Sequence, residues 1–423
     1  MKLILIDVSE KRSNFYPLVL GRPIWELRVG MSSLADKLVA KLKPVEVACF
    51  VPDYMADSYK TKTSWKVNDA GVLAGDGLLL VNARVKAHEF MVAPQGPNEV
   101  GVAPDGDILY VRYSKAAGLP TDSIGSFLAA AQKQLPVVHT PLPTWNYTWE
   151  LVLQNPDVLR EEFKAAGRSG IEGVVEQPNA IRGSSKDVFI GKGALVHPMV
   201  VIDAANGPVV IDEGAEIHPF SRIEGPCYIG RKSILLGAKC REGNSIGPMC
   251  RVGGEVEESI IHGHSNKYHD GFLGHAYVGE WVNLGAFTTN SDLKNDYSSV
   301  SVTLDGKNPI DTGSTKVGAL IGDHTKTSIG TLFNTGAVVG AMCLIMATGK
   351  PLPKFLPSFA WFIEGVVTKG FGKGKLYETA KTAMSRRKCQ WTDAERAMWD
   401  AVFALTAPAR DEAVKKGRRA MLR

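Results

Sequence analysis

The chain is short of cysteine pairs, of long apolar runs and of net charge, and each shortage excludes something. Its six cysteines, at 49, 227, 240, 250, 343 and 389, include no Cys-x-x-Cys pair and no dense framework. That argues against a disulfide-stapled scaffold; reduced, small apolar cysteines are expected instead. The opening run Met1-Lys2-Leu3-Ile4-Leu5-Ile6 meets Asp7 at once, which is too short for a signal peptide. The most apolar later stretch, 336–349, is too short to span a bilayer. A cytoplasmic protein without a membrane partner is therefore expected. A net charge of +5 over 423 residues gives no reason to expect a nucleic-acid partner. The 44% hydrophobic content suffices for buried cores in two or three domains.

What is present is a period of six. Ile190, Val196 and Ile202 begin it, and Ile211, Ile217, Ile223, Ile229 and Leu235 continue it after an insertion around 204–208. The pairs Ile246/Val252 and Val278/Leu284 keep the spacing, as do Ile321, Thr327, Phe333, Val339 and Ile345. A helix wants apolar residues every three to four positions and a half-buried strand every two, so six serves neither. It suits a triangular parallel β-helix, where each hexad is a short flat strand plus a corner and three hexads close a coil of about 18 residues. His197-Pro198 and His218-Pro219 lie 21 apart (218 − 197), one coil plus three inserted residues, and are expected to stack.

Before the repeat, the pattern reads as α/β. Lys2–Ile6, 45–51 and 78–81 are expected strands and 33–42 an expected helix, forming a mostly parallel sheet. Ligands of such sheets gather beyond the carboxyl ends of the strands, so 7–28 and 82–86 would face a site. Arg22 and Arg28 either grip phosphate oxygens there or are surface or salt-bridged arginines. Thr148 is positioned to cap a helix with a break near Pro156 and a stop at Gly167. Between 287 and 315 the hexads vanish, and Val300, Val302 and Leu304 alternate before Asp305-Gly306, a hairpin signature. After Lys350, prolines 351, 353 and 357 end the repeat, with amphipathic helices expected over 376–388 and 393–405. Residues 371–423 hold thirteen Lys/Arg against six Asp/Glu, a surplus of seven, to hold phosphates or to form a solvated face.

One segment concentrates polar chemistry: His262, His264, Asn266, Lys267, His269, Asp270 and His275, then Asn283 and Asn290 to Lys294. Four histidines at spacings of two, five and six do not match zinc patterns, and no cysteine joins them. Acyl transfer to an amine is the sharper reading. An imidazole accepts the amine proton as a thioester is attacked, and backbone amides or Asn283 and Asn290 would hold the oxyanion. The residues alone do not select the histidine.

Ile246-Gly247-Pro248, Ser265-Asn266-Lys267-Tyr268-His269-Asp270-Gly271-Phe272-Leu273-Gly274 and Glu280-Trp281-Val282-Asn283-Leu284-Gly285-Ala286 resemble the acetyltransferase half of bifunctional N-acetylglucosamine-1-phosphate uridyltransferase/glucosamine-1-phosphate acetyltransferases. The run 302–340, with Gly318 to Thr327, is similar to archaeal sugar-1-phosphate nucleotidyltransferases with acetyltransferase activity. The resemblance implies a left-handed β-helix, homotrimers, acetyl-CoA as acyl donor and His269 as general base. It also implies substrate contacts by Arg251, Lys267, Asn283, Asn290, Asp292 and Lys294, and an acyl-donor border at Ala286. Phe272 stands where the family has tyrosine, Phe287 where it has glycine, and Asp292 where it has asparagine.

The front of the chain departs further. A nucleotidyltransferase needs a glycine-rich phosphate loop, a lysine and paired carboxylates on magnesium. Here Asp7-Val8-Ser9-Glu10-Lys11-Arg12 has no glycine, Leu18 follows Pro17, and Asn82-Ala83-Arg84 follows Val81. Asp7, Arg12, Arg22, Arg28 and Asn82 are the candidate nucleotide or phosphate contacts, and Mg2+ is expected only if this domain is active. The chain thus divides into a reduced nucleotidyltransferase-like, Rossmann-like α/β domain (1–145), a helical linker (146–185), the β-helix (186–350) and a basic helical tail (351–423). The expected protein is an acyltransferase, from acetyl-CoA to an amino-sugar phosphate or nucleotide sugar, fused to a degenerate sugar-1-phosphate nucleotidyltransferase domain. The rivals are a non-catalytic nucleotide-sugar-binding trimer and a nucleotidyltransferase with a non-standard site.

Overall fold

The computed structural model of the chain describes residues 1–422. The first strand, Lys2–Ile6, alternates its side chains between two cores. Leu3 and Leu5 face one apolar cluster with Trp25 and Trp145, while Ile4 and Ile6 face another with Phe127. That period of two is what a sheet covered on both sides demands. The sheet runs Lys66–Val67, Glu46–Phe50, Lys2–Ile6, Leu78–Asn82, Ile108–Tyr113, Glu99–Val102, Val137–His139. Its first four strands are parallel, and Ile108–Tyr113 is antiparallel to both its neighbours, so the expected sheet is present with a mixed edge.

Helices α1 (Leu34–Leu42), α2 (Asp53–Lys60) and α3 (Ile124–Gln134) flank the sheet. Ser33 starts α1 through a capping box with Asp36, which satisfies backbone donors the helix itself leaves free. Helices α4 (Thr148–Leu153) and α5 (Asn155–Ala166) follow, split just before Pro156, and α5 ends on Gly167 at φ 59°. Asn155 is fully buried at that split. Its amide accepts from Gly30 N at 2.6 Å and donates to Gly243 O at 2.8 Å, tying the front domain to the repeat.

The repeat winds as a three-sided parallel prism. On its first flat Ile190, Ile211, Ile229, Ile246, Ile261, Val278, Ile321, Val339 and Leu356 stack inward in register. The second flat stacks Val175, Val196, Ile217, Leu235, Val252, Lys267 and further on Thr327, Ile345 and Phe362. The third stacks Ile181, Ile202, Ile223, Cys240, Val256 and Leu273. Stacking begins at Gly170–Ile171 and continues to Trp361–Ile363. All six cysteines are free thiols, and five are buried.

Between the coils of Val278 and Ile321 the chain leaves the prism and forms an antiparallel hairpin, Ser301–Thr303 with Pro309–Asp311. Helices α6 (Gly372–Ser385), α7 (Asp393–Leu405) and α8 (Ala407–Met421) then fold back over the molecule. Helix α7 packs against α2 and α8 against Val366–Thr368, so the tail bridges the two larger parts. No helix among the described residues is long and apolar enough to cross a membrane.

Candidate functional site

The coil geometry decides where each polar residue goes. Inward positions on the second flat are followed three residues later by one edge of the prism. Met199 and Phe220 share that edge, with Phe220 N bonded to Met199 O at 3.0 Å. Phe287 and Asp270 share it too, with Phe287 N on Asp270 O at 2.8 Å. One position earlier come His269, Ala286 and Ile329 (267 + 2, 284 + 2, 327 + 2), so His269 and Ala286 occupy equivalent places in consecutive coils. His269 is exposed there, and Tyr268 packs edge-on to its ring with centroids 5.6 Å apart.

The four histidines are dealt to different faces. His262 is buried on the first flat with its Nε2 unpartnered, and burial pushes its pKa well below the ordinary value. His264 sits at the edge between first and second flats, stacked on Trp281 with centroids 4.3 Å apart and 3.2 Å from Glu280. His275 lies at the edge after the third flat, between Asp292 (Nδ1 to Oδ2, 2.8 Å) and Glu258 (Nε2 to Oε2, 3.2 Å). Burial works against charge on His275, yet those two carboxylates raise its pKa to about 9, so it is an imidazolium at neutral pH. A base must begin unprotonated, which His275 does not, and His269 is the one of the four on an exposed position. Asp292 is committed to His275 and not to His269.

Lys267 and Asn290 turn inward at hexad positions. Lys267 pairs in register with Val252, and its Nζ donates to Gly253 O (2.8 Å) and His269 O (2.7 Å). Burial pulls its pKa down to about 8. Asn290 is buried with its amide donating to and accepting from Gly274 at 2.9 Å each way. Both hold the wall rather than face outward. Phe272 is half-buried, its ring lying against Gly274. Lys294 belongs to the excursion, bonded to Ser299 O at 3.0 Å and to Ser298 Oγ. Arg251 and Asn283 stand outward on the second flat, facing α6 across a cavity.

The front-domain candidates are likewise committed. Arg12 is buried, paired to Asp7 and bonded to Val19 O and Arg22 O, so it knits its own loop. Arg22 reaches out of the domain to Asp323 (2.5 Å) and Glu280 (3.3 Å) of the β-helix. Arg28 donates to Met31 O at 2.5 Å, and its backbone N–H donates to the Tyr277 hydroxyl at 2.8 Å. Asn82 is buried between Ile108 O and Arg84 N. Arg22 thus serves the contact between domains through its side chain, and Arg28 through its backbone. For Arg22 the ion pair is the salt-bridged alternative the sequence left open.

A pocket of about 500 Å³ does open beyond the carboxyl ends of Lys2–Ile6 and Glu46–Phe50, lined by Asp7, Ser9, Arg12, Asp53, Asn68 and Asp122. Asp53 accepts from Asn68 at 3.1 Å and Asp122 from Ser126 at 2.8 Å. Elsewhere among the described residues, two groups have ligand atoms within 4.8 Å of one another: His197, Glu216 and His218, and Glu242, Glu257 and Glu258. His197 and His218 stack as expected, with centroids 4.9 Å apart.

An aromatic column that local sequence reading does not reveal stands at the edge between the first and second flats. Trp281 stacks between His264 and His324, and Trp391 and Trp399 pack edge-on to His324 at 5.9 and 5.6 Å. The spacing 281 − 264 = 17, one coil, is the signal that links its first two members.

Parts of the chain are similar to known proteins. A bifunctional sugar-1-phosphate nucleotidylyltransferase/acetyltransferase of Sulfurisphaera tokodaii is 37% identical over 150 residues, 33% of this chain and 35% of that one. The bifunctional protein GlmU of Heliobacterium modesticaldum is 28% identical over 233 residues, 51% of this chain and 44% of that one. The GlmU of a Jannaschia species is 37% identical over 105 residues, 24% and 22%. The matches thus span less than half the length of these relatives. A solved Arabidopsis UDP-N-acetylglucosamine acyltransferase aligns with a TM-score of 0.23 and 11% identity over 58% of this chain and 96% of its own. Residues 3–169 match the family described as sugar nucleotidyl transferase, and a third to a half of the chain is similar to proteins named as bifunctional sugar-1-phosphate nucleotidylyltransferase/acetyltransferase and GlmU.

Proposed function

We propose that the chain transfers an acetyl group from acetyl-CoA to the amine of an amino-sugar phosphate or nucleotide sugar, as a homotrimer, with His269 as general base. The observation that carries this reading is the edge on which His269 stands. Phe220 and Phe287 there are 74% and 67% exposed, with Met199 beside Phe220 and Ile329 one coil past Ala286. An exposed apolar ladder of that kind is a contact surface, and a second copy laid along it would close a crevice over His269. In that crevice the His269 imidazole takes the amine proton as the nitrogen attacks the thioester carbonyl. The C–N bond forms, the C–S bond breaks, and the proton passes to the departing thiolate. Ala286, one coil on, leaves room beside the reacting carbon.

The front domain, in this reading, binds a nucleotide sugar without turning it over. Its pocket lies where sheet ligands gather, but Arg12 and Asp7 there are already paired to each other. The test is acetyl transfer to a panel of amino-sugar phosphates by wild type and by His269→Ala. The variant should lose at least a hundredfold in kcat while keeping its oligomeric state. Retained turnover in the variant, or no turnover by the wild type, overturns the assignment.

A further inference from the structure

The basic tail does not lie free. Helix α6 runs back along the second flat and roofs a groove of about 500 Å³. Arg251 and Lys326 rise from the β-helix side, and Lys375, Arg386 and Arg387 descend from the α6 side. Glu378 is the one carboxylate in the lining, and it is paired to Lys375 at 3.0 Å. Among the described residues Arg251, Arg386 and Arg387 have no acidic partner. Arg387 is bonded to Asn266 Oδ1 at 2.9 Å. Arg251 lies over the Tyr268 ring, 5.9 Å from its centroid, with its Nε buried and unpartnered.

We infer that this groove binds an organic phosphate of nucleotide size, its phosphates held by Arg251, Arg386 and Arg387. Three guanidiniums drawn from segments 135 residues apart (386 − 251) repel one another until an anion comes between them. Burial and then Arg251 and Arg386 push the pKa of Arg387 down, the signature of uncompensated positive charge. Planar guanidinium forks match phosphate oxygens in pairs. A cavity of this size suits a small-molecule ligand rather than a bare ion. Asn266, Asn283, Thr379 and Thr382 supply neutral donors and acceptors along the walls, where a sugar or base would lie.

Lys326 adds a reporter. Its Nζ is bonded to Trp281 O and His324 O, and burial pulls its pKa down to about 7. A phosphate nearby favours the ammonium, so binding near pH 7.5 takes up a proton. The groove is distinct from the His269 edge, and its test does not depend on turnover.

The experiment is calorimetric titration of the full chain with adenosine 3′,5′-bisphosphate, uridine diphosphate, pyrophosphate and adenosine. At least one nucleotide should bind with micromolar affinity, more tightly than pyrophosphate, and adenosine should not bind. The tighter nucleotide distinguishes an acyl-carrier source from a nucleotide-sugar source. Arg386→Gln with Arg387→Gln should weaken binding tenfold or more, and the binding heat should vary with buffer ionisation enthalpy. Arg386→Gln alone, on an exposed position, should weaken it severalfold, which guards against a misfolded double variant. No nucleotide binding below millimolar concentration, pyrophosphate as tight as the nucleotides, or affinity unchanged in these variants would overturn the inference.

Discussion

Arg22 Nη2 lies 2.5 Å from Asp323 Oδ2, 301 positions later in the chain, and the two hold the front domain against the β-helix. Both side chains are buried, and Glu280 stands 3.3 Å from the same nitrogen. A buried ion pair contributes modestly in net terms, because taking both charges out of water offsets their attraction. Removing one partner is different, since the other is left charged and unpaired.

The first prediction follows. Arg22→Ala should destabilise the protein by about 3–5 kcal/mol. Arg22→Met combined with Asp323→Leu should recover much of that loss, because neither charge is then stranded. Denaturant unfolding of the three proteins measures both. A single variant within about 0.5 kcal/mol of wild type would show that the pair does not join the domains.

His275 gives a prediction in pH. Its folded pKa is about 9 against an ordinary value of 6.5. The folded chain therefore holds a proton there that the unfolded chain loses. The stabilisation is complete below pH 6.5 and disappears as pH rises through 9. Asp292 and Glu258 are held below their ordinary values with His275 among the causes, so the acid side loses stability only as pH falls through the carboxylate range. The gap in Tm between wild type and His275→Gln should thus be widest at pH 5–6.5 and shrink by pH 9.5. On the order of 3 kcal/mol is at stake across that window. A gap independent of pH would mean that the imidazolium is not what holds the corner.

How far the sequence could be read depended on what repeats in it. The prism was legible because Ile190, Val196 and Ile202 restate one geometric requirement every six residues, and a buried aliphatic tolerates few substitutes. The helix split near Pro156 and the hairpin at Asp305-Gly306 were legible for similarly local reasons. Asn290 and Lys267 were harder. They sit on the six-residue grid (261, 267, 273 and 278, 284, 290), yet polar side chains there read as surface residues until their carbonyl partners are seen. Arg22 was beyond local reading, because nothing near it announces Asp323. Its column in the fold depends on the excursion between the coils of Val278 and Ile321, which the period does not count. The groove under α6 was hidden for the same reason: the tail's charge surplus was visible, but not the flat it lies against.

Lys267 supplies a third prediction, linking the interior of the prism to its edge. The Nζ donates to the carbonyl of His269, so the corner carrying the imidazole is pinned from inside. Lys267→Met keeps the length and apolar stem while removing both hydrogen bonds, a loss of about 1–2 kcal/mol in part offset by no longer burying an amine. Stability should change little, but kcat for acetyl transfer should fall about tenfold with KM nearly constant, because the base is less well held. The wild-type amine has a folded pKa of about 8 against 10.5. Between those values the unfolded chain carries the extra proton, so this group's contribution rises with pH and should be missing from the variant. Unaltered kcat would separate Lys267 from the positioning of His269.

The exposed edge makes the last prediction. Phe220 and Phe287 stand at equivalent corner positions, three residues after Ile217 and Leu284, and both are largely exposed. Phe287 takes its place at φ 59°, a left-handed conformation that glycine would adopt more cheaply, so the apolar side chain there is held at a conformational cost. A side chain kept under those terms is explained if a second copy buries it. Burying each ring contributes about 2–3 kcal/mol, so two rings per contact weigh heavily in an assembly. Phe220→Asp with Phe287→Asp should therefore convert the oligomer to monomer in light scattering while far-UV circular dichroism stays unchanged. Phe287→Gly should relieve backbone strain and still weaken assembly, showing that the ring and not the turn is what the neighbour reads. A wild-type protein that is monomeric at micromolar concentration would remove the crevice on which the proposed acyl transfer at His269 depends.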